Sequence, residues 1–139
     1  MFQKILVASD GSPFAEKAAE KAAYLASVAE NAEVEILHVI DDDHAKGNAI
    51  YKQSKKEHES LRHKRLQKTK EKLEEKEIKY GLTLLYGDAA PKIVEYAKEH
   101  DFDVIVMGSR GLNVVQKMLL GSVSHKVSKY SHCPVIIVK

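Results

Sequence analysis

Two glycine turns in this chain carry residue types suited to holding an anion. Gly108, Ser109, Arg110 and Gly111 follow directly on an apolar run at 103–107, and nine residues later come Gly121, Ser122, Val123 and Ser124. Glycine tolerates positive φ and lets a ligand approach the backbone closely. The N–H groups at a helix start, reinforced by the helix dipole, attract negative charge. Ser122 and Ser124 would add hydroxyl donors and Arg110 a guanidinium. Together the two turns could supply donors to both sides of a phosphate chain. The alternative is that Gly108 and Gly111 only turn a strand into a helix while Arg110 faces solvent. The second Gly-Ser, set inside an otherwise helical stretch, favours phosphate binding. The pattern is neither a Walker A loop, whose Gly-Lys-[Ser/Thr] ending is absent, nor a dinucleotide fingerprint. A further candidate is Asp10, whose carboxylate can accept two charge-assisted hydrogen bonds from hydroxyls or close an Asx turn ahead of Ser12.

These residues need elements to position them. Apolar runs at 5–8, 34–40, 104–107 and 135–138 are rich in Val and Ile. Such runs suit strands covered on both faces by helices. A weaker fifth strand is expected at 83–86. Between them, 13–30 places Ala15, Ala18, Ala19, Ala22, Leu25, Ala26 and Ala29 on one helical stripe. Ser12 is a suitable N-cap and Pro13 a suitable first residue for that helix. A second helix is expected over 89–100, capped by Asp88, with Pro91 in its first turn. Residues 114–130 predict a third helical region interrupted at Gly121. Residues 41–52 read as a polar loop. One long charged helix is expected from about 53 to 78, with Leu61, Leu66, Leu73 and Ile78 as its apolar contacts. Strands and helices therefore alternate, which argues for a parallel sheet with right-handed crossovers. Ligands of such sheets bind outside the carboxyl ends of the strands, at the switch point. That directs attention to residues 9–12, 39–43, 87–88 and 108–112.

Composition sets the outer bounds. The chain has 139 residues, 44% apolar and 30% charged, with a net charge of +2. This suits one globular domain over 1–139, and the charge alone implies no partner. The single cysteine, Cys133, excludes an intrachain disulfide and fits a reducing compartment. The N-terminal apolar run is shorter than a signal peptide requires, and no stretch approaches a membrane span, so a cytoplasmic location is expected.

The spacing G-x2-G-x9-G-[ST] in GSRGLNVVQKMLLGSVS resembles the ATP-binding signature of the universal stress protein family. The opening KILVASDGS, the segment ILHVID and the ending HCPVIIVK are similar to that family's first, second and last strands. The segment 41–79 matches only in length and charge. The resemblance implies an α/β fold of the adenine nucleotide alpha hydrolase-like kind, a five-stranded parallel sheet in the order 3-2-1-4-5 with helices on both faces. It implies that Asp10 binds the ribose hydroxyls and that the Val39 backbone meets the adenine edge, with Ala8 and Ser9 nearby. Met107 and Gly108 would line the ribose and adenine side. Arg110, Gly111, Gly121, Ser122, Val123 and Ser124 would surround the phosphates. The implied cofactor is ATP or another adenine nucleotide, with Mg²⁺ held mainly by phosphate oxygens. The implied assembly is a homodimer through the terminal strand, Pro134–Val138, which would otherwise expose an apolar edge.

Other signals are weaker. Residues 52–79 hold eleven Lys or Arg against six Glu, an excess of five. A solvated helix face is preferred to a nucleic-acid or membrane patch, because no aromatic is interleaved for base stacking, so neither nucleic acid nor membrane is expected as a partner. The histidines form no metal-ligand pattern, and His38 is expected to pack within its strand. Asp41, Asp42 and Asp43 read as the start of a polar loop near the site, and Cys133 as a core residue. No acid pair or catalytic base is legible, so no catalytic or metal-ligating residue is assigned. The expected function is an ATP-binding regulatory protein of the stress response, with at most slow hydrolysis, acting on a protein partner. The alternatives are a nucleotide-independent interaction module and a slow ATPase or nucleotide transferase.

Overall fold

The computed structural model describes residues 2–40, 55–110 and 120–139, with side chains from 60 onward in the middle segment. In chain order the elements are β1 (Lys4–Ala8), α1 (Pro13–Ser27), β2 (Glu33–Ile40), α2 (Lys55–Arg65), α3 (Gln67–Glu74), β3 (Tyr80–Tyr86), α4 (Ala89–Glu99), β4 (Val104–Gly108), α5 (Ser122–Tyr130) and β5 (Val135–Val138). The five strands form one sheet in the order β3-β2-β1-β4-β5. Every pairing is parallel, with Ile5 opposite both Val34 and Val104. The expected sheet and order are those observed. The weak fifth strand proves to be seven residues long and begins earlier than expected, at Tyr80.

The strands alternate their side chains between two cores. Ile5, Val7, Val34, Ile36, Val104 and Val106 face α1 and α3. Leu6, Leu37, Ile105 and Met107 face α4 and α5, against Ile93, Ala97 and Val127. This explains the near-continuous apolar runs of β1 and β4, since neither face meets water. The alanine stripe of α1 is buried at Ala15, Ala18, Ala19, Ala22, Ala23 and Ala26. Small side chains bring that helix close enough for Phe14 to press on Gly108, where an added Cβ would lie 2.6 Å from the Phe14 Cβ. The Ser12 side chain caps α1 by accepting the Ala15 N–H at 3.2 Å, with Pro13 in the first turn.

Four expectations need correction. The single charged helix is two helices that meet at Leu66. Leu66 is fully buried and, with Thr69 and Leu73 at i, i+3 and i+7 spacing, forms one inward face. Leu61, expected as an apolar contact, is 58% exposed, because the inward face of α2 is the one that carries Arg62 and Arg65. Asp88 stands at the N-cap of α4 but makes no capping bond with its side chain. Cys133 is only half-buried, at the margin of the second core, with Ser131 beside its sulfur. The expected loop at 41–52 and the beginning of the expected helix at 114–130 lie outside the described residues.

Candidate functional site

The carboxyl ends of β2, β1 and β4 surround a cavity of about 490 Å³. That lies in the range of pockets for small molecules and cofactors, about 300–1,000 Å³. It occupies the place where the strand order reverses, between β1 and β4. Eleven of the expected site residues line it: Ala8, Ser9, Asp10, Val39, Met107, Gly108, Arg110, Gly121, Ser122, Val123 and Ser124. The twelfth, Gly111, lies outside the described residues, as do Asp41, Asp42 and Asp43.

Each wall has its own chemistry. On the β2 side, Val39 and Ile40 combine with Ala89 and Ile93 of α4 into an apolar surface suited to a flat ring. In the middle stands Asp10. Its Oδ1 accepts the Ser12 N–H at 2.9 Å, an Asx turn that fixes the carboxylate in place while it lines the cavity. The hydrogen bond is the one the Asx-turn reading of Asp10 expects. Beyond β4 lies the start of α5. Gly121, at φ −71 and ψ 165, precedes it without a side-chain cap. The N–H groups of Ser122, Val123 and Ser124 consequently have no acceptor within the helix, and the dipole places positive potential there. α5 is held to β4 by the Gly121 N–H and the Ser124 Oγ, which both donate to the Ser109 carbonyl, at 2.6 and 2.9 Å.

Two expected roles change in this light. The Ser124 hydroxyl, buried and within 3.1 Å of the Gly121 carbonyl as well, spends its proton on backbone. It builds the helix start; the donors on offer are the backbone N–H groups and the exposed Ser122. Gly108 does not adopt positive φ, and the space beside it holds Phe14. Its glycine serves helix–strand packing more than ligand approach.

Several lining residues were not singled out from the sequence. Arg62 and Arg65 of α2 reach the cavity beside Asp10. Arg65 packs on Gly11, which sits at φ +83; an added Cβ there would lie 2.5 Å from the Arg65 Cγ. Hidden below, His38 is 3% exposed. Its Nδ1 lies 2.8 Å from the Ser9 carbonyl, which can only accept, so the proton resides on Nδ1. Nε2 is buried without a hydrogen-bond partner among the described residues. Burial lowers the His38 pKa below its ordinary value, the Ser9 carbonyl opposes this, and Arg62 and Arg65 add to it against Asp10. The ring is thus held neutral. Ser9 also bonds Thr69 of α3 through its hydroxyl, at 3.0 Å, tying the β1–α1 turn to the α2–α3 unit.

A doubly covered parallel sheet with a pocket at its switch point, apolar on one wall and lined by a helix start on another, defines a doubly wound α/β domain. Comparison with known proteins makes the assignment specific. The family model described as "Universal stress protein family" matches residues 1–139, and the chain belongs to that family. Universal stress protein YxiE of Bacillus subtilis is 39% identical, with both chains covered in full. The solved structure of Methanocaldococcus jannaschii MJ0577 is 32% identical, with a TM-score of 0.88, covering 100% of this chain and 96% of that one. The Archaeoglobus fulgidus universal stress protein in complex with dAMP, 24% identical and covered in full on both sides, shares the fold with a TM-score of 0.70. Among the described residues no helix is long and apolar enough to cross a membrane.

Proposed function

We propose that this universal stress protein binds ATP in the cavity at the carboxyl ends of β2, β1 and β4, with regulatory consequences. The observation that carries the reading is the convergence of residues more than 100 positions apart in sequence, from Ala8 to Ser124, on one cavity. The base rests on the apolar surface of Val39, Ile40, Ala89 and Ile93. The ribose hydroxyls donate to Asp10. The phosphates meet Arg110 and the uncapped start of α5, and Mg²⁺ is carried by their oxygens. The dAMP complex of the Archaeoglobus fulgidus relative supports an adenine nucleotide as the ligand class. The protein works in the cytoplasm as a homodimer joined along β5, and nucleotide occupancy sets the surface that a protein partner meets.

Thermal unfolding with and without Mg·ATP tests the binding. A ligand at a hundred times its dissociation constant stabilises the native state by about 2.7 kcal/mol. The midpoint should rise with nucleotide concentration for the wild type. It should stay fixed in Gly121→Val, whose side chain would crowd the Ser109 carbonyl, already 3.3 Å from the position of a Cβ there. A wild-type midpoint indifferent to Mg·ATP would refute the proposal.

A further inference from the structure

Basic groups from two separate parts of the chain line the cavity. The first is the start of α5 with Arg110, beyond β4. The second is the pair Arg62 and Arg65, three residues apart on α2 and on the β1–β2 side, beside Asp10. Cations are favoured near a helix C-terminus by the dipole, and that accounts for basic residues in the last turn of α2 generally. It does not account for which of them turn inward. His63 and Lys64 are exposed and line no part of the cavity, whereas Arg62 and Arg65, on the i, i+3 face, both do. Their placement is built in. Leu66 and Thr69 are buried directly after them, Thr69 is bonded to Ser9, and Gly11 lacks the side chain that would push Arg65 away. Both line the cavity that His38 also lines.

We propose that Arg62 and Arg65 form a second phosphate-binding pole, so that the pocket recognises adenine nucleotides carrying phosphate beyond a single 5′-phosphate. This rests on the adenine-nucleotide reading above. Guanidinium groups bind phosphate through paired, charge-assisted N–H donors. With the ribose at Asp10, the phosphate they reach is either the end of a triphosphate folded back over the ribose or a phosphate on a ribose hydroxyl.

The test is calorimetric titration with adenosine, AMP, Mg·ATP and adenosine 3′,5′-bisphosphate, on wild type and on the double variant Arg62→Ala/Arg65→Ala. The double variant should lose about tenfold or more in affinity for ATP or for the bisphosphate. Its affinity for AMP and adenosine should change by less than about twofold, because neither reaches the second pole. A loss confined to ATP identifies the terminal phosphates; a loss confined to the bisphosphate identifies the ribose phosphate. Equal losses for all four ligands, or none, overturn the inference while leaving nucleotide binding intact. A wild type that binds none of the four overturns the nucleotide reading, and this one with it. Arg62 is half-buried and Arg65 exposed. Should the double variant nevertheless fold poorly, the single Arg65→Gln variant carries the same comparison, with the same outcomes deciding.

Discussion

Gly11 carries two constraints at once. Its φ of +83 lies where L side chains are strained, and Arg65 occupies the space a side chain would need. Gly11→Ala should therefore cost more than about 1 kcal/mol in denaturant unfolding, beyond the ordinary left-handed penalty. A neutral result would mean that α2 does not press on the β1–α1 turn. His38 makes a prediction of opposite visibility, being hidden from solvent. Its folded pKa is depressed, chiefly by burial, so the unfolded state takes up the proton first. The contribution to stability is full above the unperturbed value of about 6.5 and is lost as pH falls through it toward the depressed one. The unfolding midpoint should drop over that window in the wild type, and the drop should shrink in His38→Gln. The groups packed around this ring that share its electrostatics are Asp10, Arg62 and Arg65. An unchanged pH profile in the variant would remove the buried neutral imidazole from the account.

At the scale of elements, the site depends on two anchored helices. α5 hangs from the Ser109 carbonyl, and the α2–α3 unit hangs from Leu66 and from the bond between Thr69 and Ser9. Leu66→Ala should destabilise the fold by about 2–5 kcal/mol, as expected for a buried leucine. It should also loosen α2, read as faster amide exchange over residues 60–65. Faster exchange confined to α3 would contradict the anchoring. The same elements separate what was legible in sequence from what was not. β1 and β4 announced themselves because strands buried on both faces have no polar alternation to blur them. Gly108 and Gly121 were legible as a strand end and a helix start, but the packing of Phe14 on Gly108 and the backbone bonds of Ser124 were not. The break at Leu66 was not legible, since a lysine- and glutamate-rich stretch supports a helix of almost any length. Arg62 and Arg65 were unreadable for the same reason: eleven basic residues share that stretch, and the sheet decides which two face the cavity. His38 was recognised as packed, but its place below Asp10 required the β1–β2 register.

At the scale of the whole molecule, one sheet edge invites a partner. The Pro134 and Val138 carbonyls accept from Ile105 and Ser109 of β4. With alternate residues of a strand pointing in opposite directions, the backbone groups of Val135 and Ile137 point away from β4. That is the edge through which a homodimer is proposed. Ile137→Pro removes an outward N–H while sparing the bonds to β4. Sedimentation should show the wild type at twice the monomer mass and the variant shifted toward monomer. A wild-type monomer would end the dimer proposal.

The central claim is that the cavity at the switch point is a nucleotide site, and calorimetry on protein stripped of any co-purified ligand tests it most directly. Titration with Mg·ATP at several temperatures should give one saturable site per chain, abolished in Gly121→Val and weakened in Asp10→Ala. No binding heat at any temperature in the wild type would contradict the account and leave the cavity a feature of the fold alone.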